Sequence, residues 1–177
     1  LSDSALQLNT TGNYNSAAGR GALNVNTTGS SNSAFGMLAL SANTTASNNT
    51  AVGYQALYAN TTGSQNTAFG RNAMLSNTTA GNTTGLGYGA LRDNTTGAGN
   101  TGVGRLAAAT NTTGNYNTAL GNTALYVNTT GANNTALGYE SLYSNTTAPN
   151  NTAVGYRASH DNTTGTRNVS MGVDAMY

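Results

Sequence analysis

The chain has 177 residues, only 6 % of them charged, and a formal net charge of +1. A typical soluble domain is roughly 25 % charged, and a balance this near neutrality excludes an electrostatic footprint for nucleic acid or an anionic membrane surface. With no cysteine, neither a disulfide framework nor a thiolate metal site holds the fold.

Asn-Thr-Thr begins at Asn9, Asn26, Asn43, Asn60, Asn77, Asn94, Asn111, Asn128, Asn145 and Asn162, always seventeen residues apart, without insertion or deletion. A strict tandem period signals a solenoid or a fibre array and outranks local propensity. It predicts an all-β chain: a parallel β-solenoid (β-roll) in which residues 1–177 are a single array of about ten seventeen-residue coils. No apolar run approaches the roughly 18 residues of a membrane-spanning helix, so no membrane insertion is expected of this segment.

Numbered from that Asn, the unit reads N-T-T-G/A-x-x-N-T-A-Φ-G-x-x-A-L-x-x, where Φ is a larger apolar residue. Positions 1–4 read as a turn, because Asn tolerates the left-handed region and bonds neighbouring backbone. Stacked at ~4.8 Å per coil, equivalent Asn side chains are expected to form amide ladders along the axis. Positions 7–10 read as a first strand, with 8 and 10 on one face and the small residue at 9 on the other. Position 10 is apolar in every copy, as in Phe35, Val52, Phe69 and Leu120, and is expected to point into the coil. Gly at position 11, from Gly19 to Gly172, implies positive φ or close backbone approach at a corner. Positions 13–16 read as a second strand, with Leu23, Leu57, Met74 or Leu125 at position 15 facing inward. The Asp, Glu, Arg and His residues all fall at positions 6, 12, 13, 16 or 17, which places 12, 13, 16 and 17 outside.

Two large apolar side chains per coil make a thin core, and Ala-rich positions 9 and 14 would allow close approach of neighbouring copies. Association as a parallel trimer or fibre is therefore expected over a lone column. In the middle, Thr83 replaces Asn, Gly85 and Gly102 replace Ala, and Ala108 replaces Leu, so residues 82–108 are expected to be the weakest coils. Leu1 and Tyr177 fall inside units and neither end changes character, which reads as an excerpt of a longer fibre.

No catalytic, metal or cofactor site is expected: His160 is the single histidine, and no nucleophile or dinucleotide motif surrounds the glycines and serines. Tyr54, Tyr58, Tyr88, Tyr126, Tyr139, Tyr143 and Tyr156 are candidate surface-binding aromatics, read either as stiffening stacks or as a sugar-binding strip. The ten NTT asparagines named above are candidate glycosylation sites, read either as turn chemistry or as anchors of a glycan coat. Thr-rich ladders also suggest ice binding, a weaker reading because the paired Thr residues lie in a turn rather than in a Thr-x-Thr strand.

The stretches NNTAVGYQAL (48–57), NNTALGYESL (133–142) and NNTAVGYRAS (150–159) carry a resemblance. They resemble the Asn-Ser/Thr-Val/Ala-Φ-Gly repeats of trimeric autotransporter adhesin heads. They are still more similar to NTTG..NTA.G..AL arrays of bacteriophage tail fibres and fibre-like bacterial surface proteins. The resemblance runs through the whole chain and implies a left-handed parallel β-roll with three chains side by side. It also implies a place outside the cell, on a cell surface or on a virion. The partners it implies are the chain itself, as homotrimer or filament, and host or cell-surface glycans. The function expected is a non-catalytic fibre shaft or spacer. The alternatives are an adhesive, glycan-binding module or a glycan-coated filament.

Overall fold

A computed structural model describes residues 4–176. Among these, the regular elements are ten three-residue strands, from β1 (Ser16–Ala18) to β10 (Val169–Met171), each at unit positions 8–10. They form one parallel sheet in chain order. Each residue pairs with its equivalent one unit on, as in Thr118↔Thr135, Ala119↔Ala136 and Leu120↔Leu137. Parallel neighbours need a crossover connection, and here the remaining fourteen residues of each unit supply it. The result is a β-solenoid whose rungs repeat every seventeen residues.

The inside of the coil differs from expectation at the strand. Position 9 points in and position 10 points out: Ala34, Ala68, Ala119 and Ala136 are fully buried, whereas Phe35, Phe69 and Leu120 are 45 %, 59 % and 37 % exposed. Val52 beside them is half-buried. The reason is width. Leu23, Leu57, Leu91 and Leu125 at position 15 are fully buried and fill the coil from the opposite wall, so only a methyl group or a hydrogen fits at position 9. Ala at position 14 is likewise buried. The Ala-rich positions are therefore core, not an outer face for neighbouring chains. The last coils confirm the facing: Ser170 at position 9 and Ser159 at position 15 turn polar together and bond Oγ to Oγ at 2.8 Å across the interior.

Two columns of asparagine complete the core. Asn94 and its equivalents at position 1 are buried, as are Asn100, Asn117 and Asn134 at position 7. Asn94 donates to the Asn77 side-chain oxygen at 3.0 Å and to its own coil's Gly97 carbonyl at 2.9 Å. Its own oxygen accepts from Asn111 at 2.7 Å. This link repeats without a break from Asn9 to Asn162. At position 7 the carboxamide donates to a turn carbonyl one coil ahead, as Asn117 does to Gly131 at 2.8 Å, while its oxygen accepts the Asn134 N–H at 2.9 Å. Buried backbone groups must be paired. A carboxamide, with two donors and an acceptor, pairs turn groups and its own neighbours at once. The expected amide ladders exist, inside the coil.

Among the described residues, the second strand expected over positions 13–16 does not form. That segment is bonded from coil to coil, as in Leu57 N–H to Ala73 carbonyl at 3.0 Å and Gln55 N–H to Met37 carbonyl at 3.0 Å. Its backbone, however, alternates into the left-handed region: Gln55 has φ 54° and Leu57 φ 51°, and the same holds at Thr123 and Leu125. Left-handed geometry costs a non-glycine residue roughly 1–2 kcal/mol. At position 15 it swings a Leu side chain into the core, where complete burial offsets that cost. Gly53 at position 11 has φ 133°, and a Cβ there would lie 2.6 Å from the Gly70 carbonyl oxygen. Both expected reasons for that glycine therefore hold.

The middle coils carry one real defect. Thr83 donates its N–H to the Asn66 side-chain oxygen at 3.0 Å, as the other position-7 residues do, but its hydroxyl donates to the Gly81 carbonyl. Asn100 N–H consequently lacks the side-chain acceptor that Asn117 N–H finds at 2.8 Å. The glycines at 85 and 102 are compensated, because Met74 and Leu91 lean into the space a Cβ would occupy. Thr83→Asn should therefore stabilise the solenoid by about 1 kcal/mol, the worth of one restored hydrogen bond. Urea denaturation reads the gain, and backbone exchange at Asn100 should slow towards that of Asn117. An unchanged exchange rate at Asn100 would contradict the ladder at this step.

Candidate functional site

Successive units place equivalent side chains in columns, so each outward position becomes a strip along the fibre. Tyr54, Tyr88, Tyr139 and Tyr156 share the position-12 strip, and Tyr58, Tyr126 and Tyr143 share that of position 16. The four at position 12 and Tyr58 are exposed, whereas Tyr126 and Tyr143 are half-buried by each other's coils. Position 12 lies outside as expected; positions 13, 16 and 17 are mostly half-covered by the same positions of adjacent coils.

The rings lie nearly parallel. Tyr126 and Tyr143 have centroids 5.3 Å apart at 16°, and His160 continues the stack at 5.1 Å and 5°. Tyr139 and Tyr156 repeat the arrangement at 5.3 Å and 11°. Where the sequence alternates Tyr and Arg, the guanidinium takes the next ring's place. Arg71 lies 5.7 Å from the Tyr54 centroid and 5.9 Å from that of Tyr88, and Arg105 lies 6.0 Å from Tyr88 on its other side. These contacts use the ring faces, which a sugar would need for stacking. Phenol hydroxyls, ring edges and guanidinium edges are what solvent meets. Sequence located the strips, but ring orientation is a property of the coil spacing and was not legible.

Charge gathers on the same side. Arg92 is held by Asp93 at 2.6 Å, and that hydrogen bond raises the guanidinium's pKa despite partial burial. Glu140 lies 3.6 Å from Arg157 and 3.6 Å from His160 Nε2, and His160 Nδ1 meets Asp161 at 2.6 Å. A hydrogen bond with Glu140, together with its charge, holds the Tyr139 phenol above the usual tyrosine range. The Arg92–Asp93, Arg157–Glu140 and His160–Glu140 pairs are half-covered and remain screened by solvent, so each contributes little to stability. Among the described residues, Arg167 at position 6 is the one charged side chain away from these strips. No group of three or more His, Cys, Asp or Glu converges on a metal-sized site among them, and no helix there is long and apolar enough to cross a membrane.

The candidate glycosylation asparagines lie inside the coil. Asn26, Asn43, Asn60, Asn77, Asn94, Asn111, Asn128 and Asn145 are fully buried, and Asn9 and Asn162 in the end coils are half-buried. Their amide nitrogens are spent in the ladder, so a glycan there would break the core. The sequence left turn chemistry and a glycan coat both open, because the NTTG letters do not show which way the Asn side chain points. Four further Asn-x-Thr sequons, at Asn48, Asn82, Asn133 and Asn150, sit at position 6 with exposed side chains and φ between 58° and 63°. Thr28, Thr62, Thr96 and Thr130 form an exposed turn column, while Thr50, Thr67 and Thr118 place a second hydroxyl column on the strands.

Comparison with protein-family models, with curated proteins and with solved structures finds no match to this chain. The arrangement itself offers repeated strips, one aromatic and charged, the other uncharged.

If the chain is secreted through a pathway that attaches N-linked sugars, carbohydrate on folded material should map to Asn48, Asn82, Asn133 or Asn150. Glycopeptide mass spectrometry checks this. Occupied Asn94 in folded protein would contradict its burial.

Proposed function

We propose that this segment is a structural fibre shaft, a non-catalytic spacer in an extracellular filament, surface adhesin or phage tail fibre. Copies of the chain would lie side by side as a homotrimer or filament. The observation that carries the reading is the unbroken ladder from Asn9 to Asn162, which ties each coil to the next through identical bonds. An object built this way delivers length in equal increments, and each coil depends mainly on its neighbours. Stacked rings and alternating Arg and Tyr would stiffen the column further.

A second reading, adhesion by the outer face itself, is favoured by one observation. Arg71 and Arg105 are exposed with their guanidinium edges free beside Tyr54 and Tyr88. Glycan recognition there would run through hydrogen bonds and charge rather than ring stacking.

Removing residues 60–93, two whole units, should shorten the fibre by ~10 Å at ~4.8 Å per rung and leave the joined coils folded. Removing nine residues instead should throw inside positions outward and collapse the local stack. Electron microscopy and an attachment assay on the parent protein read both effects. Attachment lost while the shortened fibre stays intact would overturn the passive shaft in favour of adhesion by this segment.

A further inference from the structure

The position-12 strip has a period of its own. Over four successive coils it alternates ring and cation: Tyr54, Arg71, Tyr88 and Arg105. Arg71 lies over both neighbouring rings, 5.7 Å from the Tyr54 centroid and 5.9 Å from that of Tyr88, and Arg105 lies 6.0 Å from Tyr88. Both arginines are exposed, and neither has an acidic partner among the described residues. Stacking holds a guanidinium by its face and leaves its planar fork of N–H donors to solvent. Part of the ordering cost of binding is then met before a ligand arrives. Arg92 reaches the same strip, its Cβ 4.0 Å from where a side chain on Gly89 would begin, but Asp93 takes its fork at 2.9 and 2.6 Å. Apart from Asp93, the acidic side chains described are Glu140, Asp161 and Asp174, all in the last three coils.

We propose that this strip binds an extended acidic polysaccharide that carries one anionic group, a carboxylate or a sulfate, per disaccharide. The proposal rests on the adhesion reading above and names its ligand class. Spacing selects the ligand first. Arg71 and Arg105 sit two rungs apart, ~10 Å at ~4.8 Å per rung, which is about the length of one disaccharide in an extended chain. Shape selects it next, because a guanidinium fork matches paired oxygens on one anionic group. Between the two cations, the Tyr54 and Tyr88 hydroxyls meet the uncharged sugar as donors and acceptors. Their ring faces are taken by the arginines. Charge density decides against a nucleic acid, which carries a phosphate at every nucleotide, whereas this strip offers a free cation only at every second rung. Glu140 would repel the same ligand, so its track runs over residues 54–105.

NMR titration of the full chain at low ionic strength reads the site directly. The probes are oligosaccharides of hyaluronan, with a carboxylate per disaccharide, and of κ-carrageenan, with a sulfate per disaccharide. Shifts should fall on Tyr54, Arg71, Tyr88 and Arg105 with at least one probe, and the arm that binds names the anion. Arg71→Gln combined with Arg105→Gln should weaken binding by at least about tenfold, as loss of hydrogen bonds to a charged group does. Arg167→Gln, at position 6, should leave it unchanged. The same oligosaccharides with the carboxyl reduced or the sulfate removed should not bind. Equal binding of these uncharged forms would overturn the acidic class yet leave adhesion by this face standing. Shifts confined to other strips, undiminished binding by the folded glutamine variant, or binding of neither probe would each overturn the proposal. Should the variant fail to fold, the shift map of the parent chain decides. Attachment after removal of residues 60–93, which takes Arg71 and Tyr88 away, is read separately, so a failed ligand class and failed adhesion are distinguishable.

Discussion

Everything in this solenoid follows from how the turn at positions 1–7 satisfies its inward-facing backbone. The coil is narrow and filled by Leu, Met and Ala, so the turn carbonyls at position 4 and the amides at position 7 need polar partners from within. Asparagine supplies them with the shortest side chain that both donates twice and accepts. Once Asn94 links to Asn77, Asn111 and Gly97, the distance from coil to coil is fixed on that side. The strands fix it on the other. Gly53 can then approach Gly70 only because it has no Cβ, and one Leu per coil fills what remains.

This explains an unusual division of labour. Polar groups usually enter a core at a cost unless fully bonded; here they are fully bonded along the axis, and the apolar core is reduced to Leu, Ala and their packing. The interior therefore specifies register strongly. A shift by whole coils restores the contacts, whereas any other shift leaves buried carboxamides unpaired. Thr83 shows what one missing carboxamide does: the contact fails at Asn100 alone, and the stack continues.

Much of this was legible in the sequence. Spacing without insertions revealed the coil, the glycines at position 11 revealed the tight corner, and the charges marked the outer strips. The ladders were readable from repeated Asn, but their side was not, because a turn motif and a buried amide column share the same letters. The strand was assigned the wrong inside for a related reason. Apolar size at position 10 looked like core, while Ala at position 9 looked like a surface of close approach; in a coil this narrow the smaller residue is the buried one. Positions 13–16 read as a strand because they lie between the position-11 glycine and the next NTTG turn, too short a stretch for a helix; the coil-to-coil bonding of a strand is present there, but its extended backbone is not. No residue type announces that Leu57 adopts φ 51°. For the outer strips, Tyr positions were legible, whereas ring stacking depends on rung spacing and was open between two readings.

The central claim is that buried carboxamides, bonded coil to coil, hold the solenoid. Side-chain amide hydrogen exchange measured by NMR tests it most directly. The Nδ2 protons of Asn77, Asn94, Asn111 and Asn128 should be strongly protected, while those of the exposed Asn48, Asn82 and Asn133 should exchange at the rate of free asparagine. Equal, rapid exchange in both sets, in a chain that is otherwise folded, would contradict it.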